Sequence, residues 1–250
     1  MKIIVDNLAT EYKDEGAGKV LLFLHGWKDS LESFDQIIPS LASEYRVIRL
    51  DLPGFGKTAL PKETWDLDNY INFVNSFIIK LNISPYALIG HSFGGRIIIK
   101  GVSDEKLKSE KIVLIGSAGI AKRKTLKNYF FTVIAKIGKL VTYIPPFYFY
   151  RNIFKKKLYS FVGSDYFNTG ALKNTFLKVI KEDLSEYAKK INTPTILIWG
   201  IDDTETPVTD GERLSGMIKG SRIEKIENAG HFVHKQKSTE VAKLIKEFLK

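Results

Sequence analysis

Gly90-His91-Ser92-Phe93-Gly94 is the stretch on which the fold turns. The apolar run Tyr86-Ala87-Leu88-Ile89 precedes it and Gly95-Arg96-Ile97-Ile98-Ile99 follows. The pattern predicts a strand, a sharp turn with a serine at its apex, and a helix. Gly-x-Ser-x-Gly in that setting is a nucleophile elbow. A serine on so tight a turn has a strained backbone, and only small neighbours let strand and helix close around it while the hydroxyl stays exposed. The helix then aims its first amides and the positive end of its dipole at the same point, where negative charge on an oxygen is stabilised.

A serine hydroxyl becomes a nucleophile when a base takes its proton, and the usual base is histidine. The chain has four histidines, His25, His91, His231 and His234. His231 lies in Glu227-Asn228-Ala229-Gly230-His231-Phe232, directly after the strand-like Arg222-Ile223-Glu224-Lys225-Ile226. A loop between strand and helix places it to face a neighbouring strand end. His234, one helical turn on, reads as a solvated or capping histidine. An acid that fixes the tautomer of the base and stabilises the imidazolium is expected at the end of another strand. Thr195-Ile196-Leu197-Ile198-Trp199-Gly200 is that strand, and Asp202 and Asp203 in the loop after it compete for the role.

Around these motifs, strands alternate with helices. Val20–Leu24, Arg46–Leu50, Ala87–Ile89, Lys111–Ile115, Thr195–Trp199 and Arg222–Ile226 are short and largely apolar, as strands covered on both faces are. Leu67–Leu81 gathers Tyr70, Phe73, Val74, Phe77 and Ile78 on one helical face, and Ser238–Leu249 does the same with Val241, Leu244, Ile245 and Phe248. Lys2–Tyr12 reads as antiparallel edge strands. This alternation predicts an α/β fold with a mostly parallel central sheet, flanked by helices, and functional loops at the strand C-termini.

With these residues in place, the chain resembles the α/β-hydrolase superfamily of lidded serine hydrolases, over essentially its whole length outside the lid. Leu24-His25-Gly26-Trp27 resembles the family's oxyanion loop. Asp51-Leu52-Pro53-Gly54-Phe55-Gly56 resembles its Asp-x-Pro-Gly-x-Gly turn, Gly90 to Gly95 its elbow, and Gly230-His231-Phe232 its histidine loop. In Trp199-Gly200-Ile201-Asp202-Asp203 the family's acid falls three residues after the glycine, which selects Asp203. The family order of serine, acid, histidine leaves His231 and His234 as the histidines after Ser92, with His231 on the motif. The resemblance implies a triad of Ser92, Asp203 and His231, and an oxyanion hole from the backbone N–H groups of Trp27 and Phe93. It implies no cofactor and no metal. Elbow residue Ser92 argues against the haloalkane dehalogenase and epoxide hydrolase branches, which carry aspartate there.

Composition narrows the remaining classes. A chain of 250 residues, 44% hydrophobic, fits one α/β domain with an insertion. The absence of cysteine removes disulfides, a thiol nucleophile and cysteine-ligated zinc. The apolar start Met1-Lys2-Ile3-Ile4-Val5 is too short for a secretory signal, and no apolar run approaches the roughly 20 residues of a spanning helix. These features predict a soluble, cytoplasmic protein. Gly54-Phe55-Gly56-Lys57-Thr58 imitates the end of a phosphate-binding loop, but Asp51 stands where that loop needs its first glycine. A carboxylate there argues against a nucleotide triphosphatase.

The alternation breaks over residues 118–190, which the resemblance marks as a helical lid inserted into a core of residues 1–117 and 191–250. From Ala121 to Ser164 there is no Asp or Glu, while ten Lys and Arg are interleaved with aromatics, against a net charge of +10 for the whole chain. Aromatics lining an apolar pocket under an outer coat of lysine is one reading. A basic face lying peripherally on an anionic membrane is a second. An anionic substrate is a third; a nucleic-acid partner is not expected, because no nucleic-acid motif is present. The functional expectation is a serine hydrolase of a carboxylic ester or related small apolar acyl substrate. Carbon–carbon hydrolysis of a diketone by the same machinery is the alternative. A non-catalytic ligand-binding or membrane-surface protein on this fold is the other.

Overall fold

The computed structural model of the chain describes residues 1–120 and 170–250. The chain divides into two compact units, Met1–Ala121 with Leu177–Lys250, and Lys122–Phe176. Most of the expected lid, with its basic and aromatic run, lies outside the described residues, and the architecture below is that of the first unit.

The first unit contains one sheet of eight strands, in the order β1-β2-β4-β3-β5-β6-β7-β8. These are β1 (Lys2–Val5), β2 (Leu8–Glu15), β3 (Val20–Leu24), β4 (Arg46–Leu50), β5 (Pro85–His91), β6 (Lys111–Ile115), β7 (Thr195–Gly200) and β8 (Arg222–Ile226). The first two are antiparallel to their neighbours and the rest run parallel. Every residue of β3, β5 and β7 is buried, which is why they read as unbroken apolar runs. Edge strand β8 departs from that expectation: only Ile226 is buried. It pairs on one side alone, with β7, so Arg222, Glu224 and Lys225 keep access to water.

Helices cover the sheet. On one side Phe23, Ile89, Val113, Ile115, Ile196 and Ile198 form a continuous core with Ile38 and Leu41 of α1 (Ile38–Ala42). Val241 and Ile245 of the C-terminal helix Ser238–Leu249 complete it. Each such side chain stabilises the fold by about 1.5–3 kcal/mol when fully buried. Helix α2 (Leu67–Lys80) starts at a capping box: Asn69 N–H donates to the Asp66 carboxylate at 3.1 Å, and Asp66 N–H donates to Asn69 Oδ1 at 2.9 Å. Its buried face carries Tyr70, Ile71, Phe73, Val74 and Phe77, with Ile78 only half-buried. It packs on α3 (Phe93–Ser103), which lies against β5.

Strand order reverses at β3, whose neighbours are β4 on one side and β5 on the other. Loops leaving the C-terminal ends of β3 and β5 therefore diverge, and such a switch point opens a crevice in α/β sheets. The Trp27 loop and Ser92 stand at that place. Among the described residues, no helix is long and apolar enough to cross a membrane.

Candidate active site

Ser92 joins β5 to α3 with φ 49° and ψ −105°, a conformation that costs a non-glycine residue about 1–3 kcal/mol. The surroundings hold it there. Ser92 N–H donates to the Ile115 carbonyl at 3.0 Å, and the Ser92 carbonyl accepts from Ala118 N–H at 3.2 Å and Arg96 N–H at 3.4 Å. Two glycines make the turn possible by close approach. A methyl on Gly94 would stand 2.0 Å from the Leu24 carbonyl oxygen, and one on Gly90 would stand 2.7 Å from the Gly94 carbonyl carbon. Phe93 begins α3, so its N–H is among the first-turn amides that have no acceptor within the helix.

The loop after β3 runs alongside. A methyl on Gly26 would lie 3.4 Å from Ser92 Cβ, so the chain entering Trp27 passes directly by the serine. The Trp27 ring sits edge-on to Phe93 and Phe55, with centroids 5.2 and 4.8 Å away. His25 anchors this loop from below: Leu52 N–H donates to its Nε2 at 2.9 Å, and its Nδ1–H donates to the Gly26 carbonyl at 2.7 Å. Burial lowers the His25 pKa, against the pull of the Gly26 carbonyl and Asp51. Asp51 itself binds the two loops around it, accepting from Leu31 N–H and Lys57 N–H at 2.7 Å each. The stretch that imitates a phosphate loop thus encloses a carboxylate.

Of the two competing aspartates, Asp203 faces His231; Asp202 is exposed and bonds through its N–H to the Ala229 carbonyl. Asp203 Oδ2 accepts from His231 Nδ1–H at 2.8 Å and from the Thr206 hydroxyl at 2.8 Å. Its Oδ1 accepts from Glu205 N–H and Thr206 N–H, both at 2.9 Å. Burial pushes the Asp203 carboxyl up, but the bond to His231 and the bonds from Thr206 outweigh it and hold the pKa below the usual carboxylate range. Because a carboxylate only accepts, Nδ1 carries the proton and Nε2 presents a lone pair. Gly116, at the end of β6, closes the gap: a methyl there would lie 3.3 Å from the His231 carbonyl oxygen and 3.4 Å from Asp203 Oδ2.

Ser92 and His231 approach through His91, whose Nε2–H donates to the His231 carbonyl at 3.0 Å, with ring centroids 4.8 Å apart. Among the described residues no hydrogen bond joins the Ser92 hydroxyl to His231. Instead His231 Nε2 stands 3.6 Å from the exposed carboxylate of Glu205. Catalytic hydrogen bonds are often long without substrate and tighten on binding.

The sequence reading missed Glu205, Thr206 and the part played by His91. Thr206 was legible in principle: Asp-x-x-Thr is a local turn pattern in which the aspartate accepts from backbone two and three residues on. His234 corrects the sequence expectation. It is fully buried, not solvated, with Nε2 2.9 Å from the Ser33 hydroxyl and its ring beside Phe34. Burial, with Lys235 and His231 nearby, pushes its pKa down to about 3. Burial holds His91 well below the ordinary value, again helped by the neighbouring histidines.

Comparison with known proteins agrees with this geometry at the level of fold and family. The sequence profile of the Alpha/beta hydrolase family matches residues 21–244. The uncharacterized hydrolase YugF of Bacillus subtilis (strain 168) is 25% identical, over 98% of this chain and 94% of its own. The 2-hydroxy-6-oxo-6-(2'-aminophenyl)hexa-2,4-dienoic acid hydrolase of Metapseudomonas resinovorans is 27% identical, over 89% of this chain and 81% of its own. The structure of an esterase from Exiguobacterium antarcticum superposes with a TM-score of 0.76 at 21% identity, covering 99% of this chain and 98% of that one.

Proposed function

Because the chain belongs to the alpha/beta hydrolase family, we propose that it is a serine hydrolase cleaving a carboxylic ester or related acyl substrate through Ser92, His231 and Asp203. The observation that supports this reading is the 2.8 Å bond between Asp203 and His231 Nδ1, which leaves Nε2 as the basic atom of a ring 4.8 Å from that of His91, the chain neighbour of the strained Ser92. His231 takes the Ser92 proton as the hydroxyl attacks the carbonyl carbon. The backbone N–H groups of Trp27 and Phe93 receive the oxyanion, each such donor lowering the barrier by about 2.7–4 kcal/mol. The proton passes to the leaving alcohol, and the acyl group stays on Ser92. Water, deprotonated by His231, then releases the acid. Asp203 keeps the ring in the reactive tautomer throughout.

A second reading is carbon–carbon hydrolysis with the same residues. It is favoured by the relative from Metapseudomonas resinovorans, whose stated substrate is an oxo-dienoic acid in place of an ester. The basic, aromatic run of residues 121–164 remains a proposed contact to an apolar substrate or an anionic membrane surface. Steady-state assays with chromogenic esters of graded acyl length, run beside a vinylogous diketone acid, decide between the two chemistries. Ester turnover that is lost in Ser92→Ala supports the first reading. Diketone cleavage with esters untouched replaces it by the second, and turnover of neither overturns both.

A further inference from the structure

Three of the four histidines are buried side by side, with the His91 ring centroid 4.8 Å from that of His231 and 4.4 Å from that of His234, and only His231 has a place in the proposed chemistry. The others bring together an unusual set of donors. One ring nitrogen of His91, one of His234 and a carboxylate oxygen of Asp29 lie within 4.8 Å of one another. We propose that Asp29, His91 and His234 form a binding site for one divalent transition-metal ion of the zinc type, although the sequence pointed to no metal.

The hydrogen bonds around His91 and His234 leave one nitrogen of each ring bare. The His231 carbonyl can only accept, so His91 Nε2 must be the protonated nitrogen. His91 Nδ1 is then a bare lone pair, and it faces the turn that leads into Asp29. A methyl on Gly26 would stand 2.9 Å from it, and Asp29 N–H donates to the Gly26 carbonyl at 3.3 Å. The tautomer of His234 is fixed by Ser33. Ser33 has one hydroxyl proton, which it donates to the Asp29 carboxylate at 2.6 Å. Its oxygen is therefore left to accept from His234 Nε2–H at 2.9 Å, and His234 Nδ1 is bare. Both Nδ1 atoms are buried and have no hydrogen-bond partner.

Two neutral imidazoles with bare nitrogens, each orienting its other N–H on a carbonyl or a hydroxyl–carboxylate pair, is the arrangement that metal-ligating histidines show. Two nitrogens and one carboxylate oxygen suit zinc and its first-row neighbours better than magnesium or calcium, which take oxygen. Zinc sits about 2.0–2.2 Å from such ligands. Gathering donors spread over 4.8 Å onto one ion asks each to move inward by at most roughly 0.7 Å. One element opposes the ion: the Lys235 ammonium lies 3.4 Å from both oxygens of Asp29. Since His91 also holds the His231 carbonyl, a bound ion would stand one hydrogen bond from the proposed catalytic base.

The test is direct metal binding by the full chain, free of affinity tag. After dialysis against buffered Zn2+, elemental analysis is expected to find one zinc per chain. Asp29→Asn, which keeps the shape of the side chain, and His234→Gln are expected to weaken binding by more than about 100-fold, beyond the ~10–100-fold that outer partners cost. Lys235→Gln is expected to tighten it. Co2+ in place of zinc is expected to give the ligand-field absorption of a four- or five-coordinate nitrogen–oxygen site. Circular dichroism of each variant establishes that it is folded; if His234→Gln is not, Asp29→Asn and Lys235→Gln decide. Less than one zinc per wild-type chain, or equal zinc in folded Asp29→Asn, overturns the proposal.

Discussion

Asp203 Oδ2 and His231 Nδ1 are 2.8 Å apart, and the Thr206 hydroxyl reaches the same oxygen at 2.8 Å. The carboxylate thus has two side-chain donors on one oxygen and two backbone donors on the other. Changing Asp203→Asn keeps the shape but allows His231 to adopt the other tautomer. On the proposed chemistry kcat/KM falls by about 10³–10⁴-fold, as expected for the wrong tautomer of a triad base. Steady-state kinetics on the best ester measures it.

Thr206 acts one step further out. A hydrogen bond to a charged group contributes about 1.5–3 kcal/mol, so Thr206→Val is expected to lower kcat/KM by on the order of tenfold to a hundredfold. Thr206→Ser keeps the hydroxyl and is expected to recover most of the loss. Equal damage from both variants would assign Thr206 to packing alone.

The backbone at Ser92 is strained, and on the proposed chemistry that strain is the cost of exposing the hydroxyl. Ser92→Gly removes the side chain from a backbone at φ 49° and is expected to raise stability by about 1 kcal/mol. For a chain of this size that corresponds to a melting temperature about 2–4 °C higher. Differential scanning calorimetry checks the sign, and activity disappears in the same variant.

Acid sensitivity follows from His234. Its folded pKa is about 3, while an unfolded histidine titrates near 6.5. Between those values the unfolded chain binds one more proton than the native state, so stability rises with pH. The contribution is fully present above pH ~6.5 and is lost at about 1.4 kcal/mol per pH unit as pH falls towards ~3. Asp203, with its carboxyl held low, adds loss in the same direction at the acid end. Urea unfolding from pH 7 to 4, in chelator, is expected to show a shallower slope for His234→Gln than for wild type. Identical slopes would contradict it.

Much of this site was legible because its parts are local. Ser92 announces itself by the glycines that a tight strand–helix turn requires, and Asp203 and His231 by lying just past apolar strands. What stayed hidden depends on neighbours far away in sequence. The partner of His234 is Ser33, 201 residues distant, and no helical periodicity reveals it. Glu205 reads as one more exposed acid of a turn, and only the folded loop brings it to 3.6 Å from His231 Nε2. Edge strand β8 carries only Ile223 and Ile226 among three charged residues, where a central strand such as β3 is an unbroken apolar run, and its exposure is set by the missing neighbour.

The contact between Glu205 and His231 is itself testable. When His231 becomes an imidazolium on taking the Ser92 proton, the Glu205 carboxylate gains an exposed ion pair worth about 0.2–1 kcal/mol, so Glu205→Gln is expected to slow modification of Ser92 by roughly 1.4–5-fold. A faster reaction would mean that the carboxylate hinders the imidazole.

The most direct measurement is the rate and site of labelling by a fluorophosphonate, which reacts with an activated serine without requiring the natural substrate. One adduct per chain is expected, on the peptide containing Ser92, absent in Ser92→Ala and slowed by orders of magnitude in His231→Gln and Asp203→Asn. A wild-type chain that stays unlabelled, or one whose labelling survives loss of Ser92 or His231, would contradict the assignment of Ser92 as a nucleophile activated by His231.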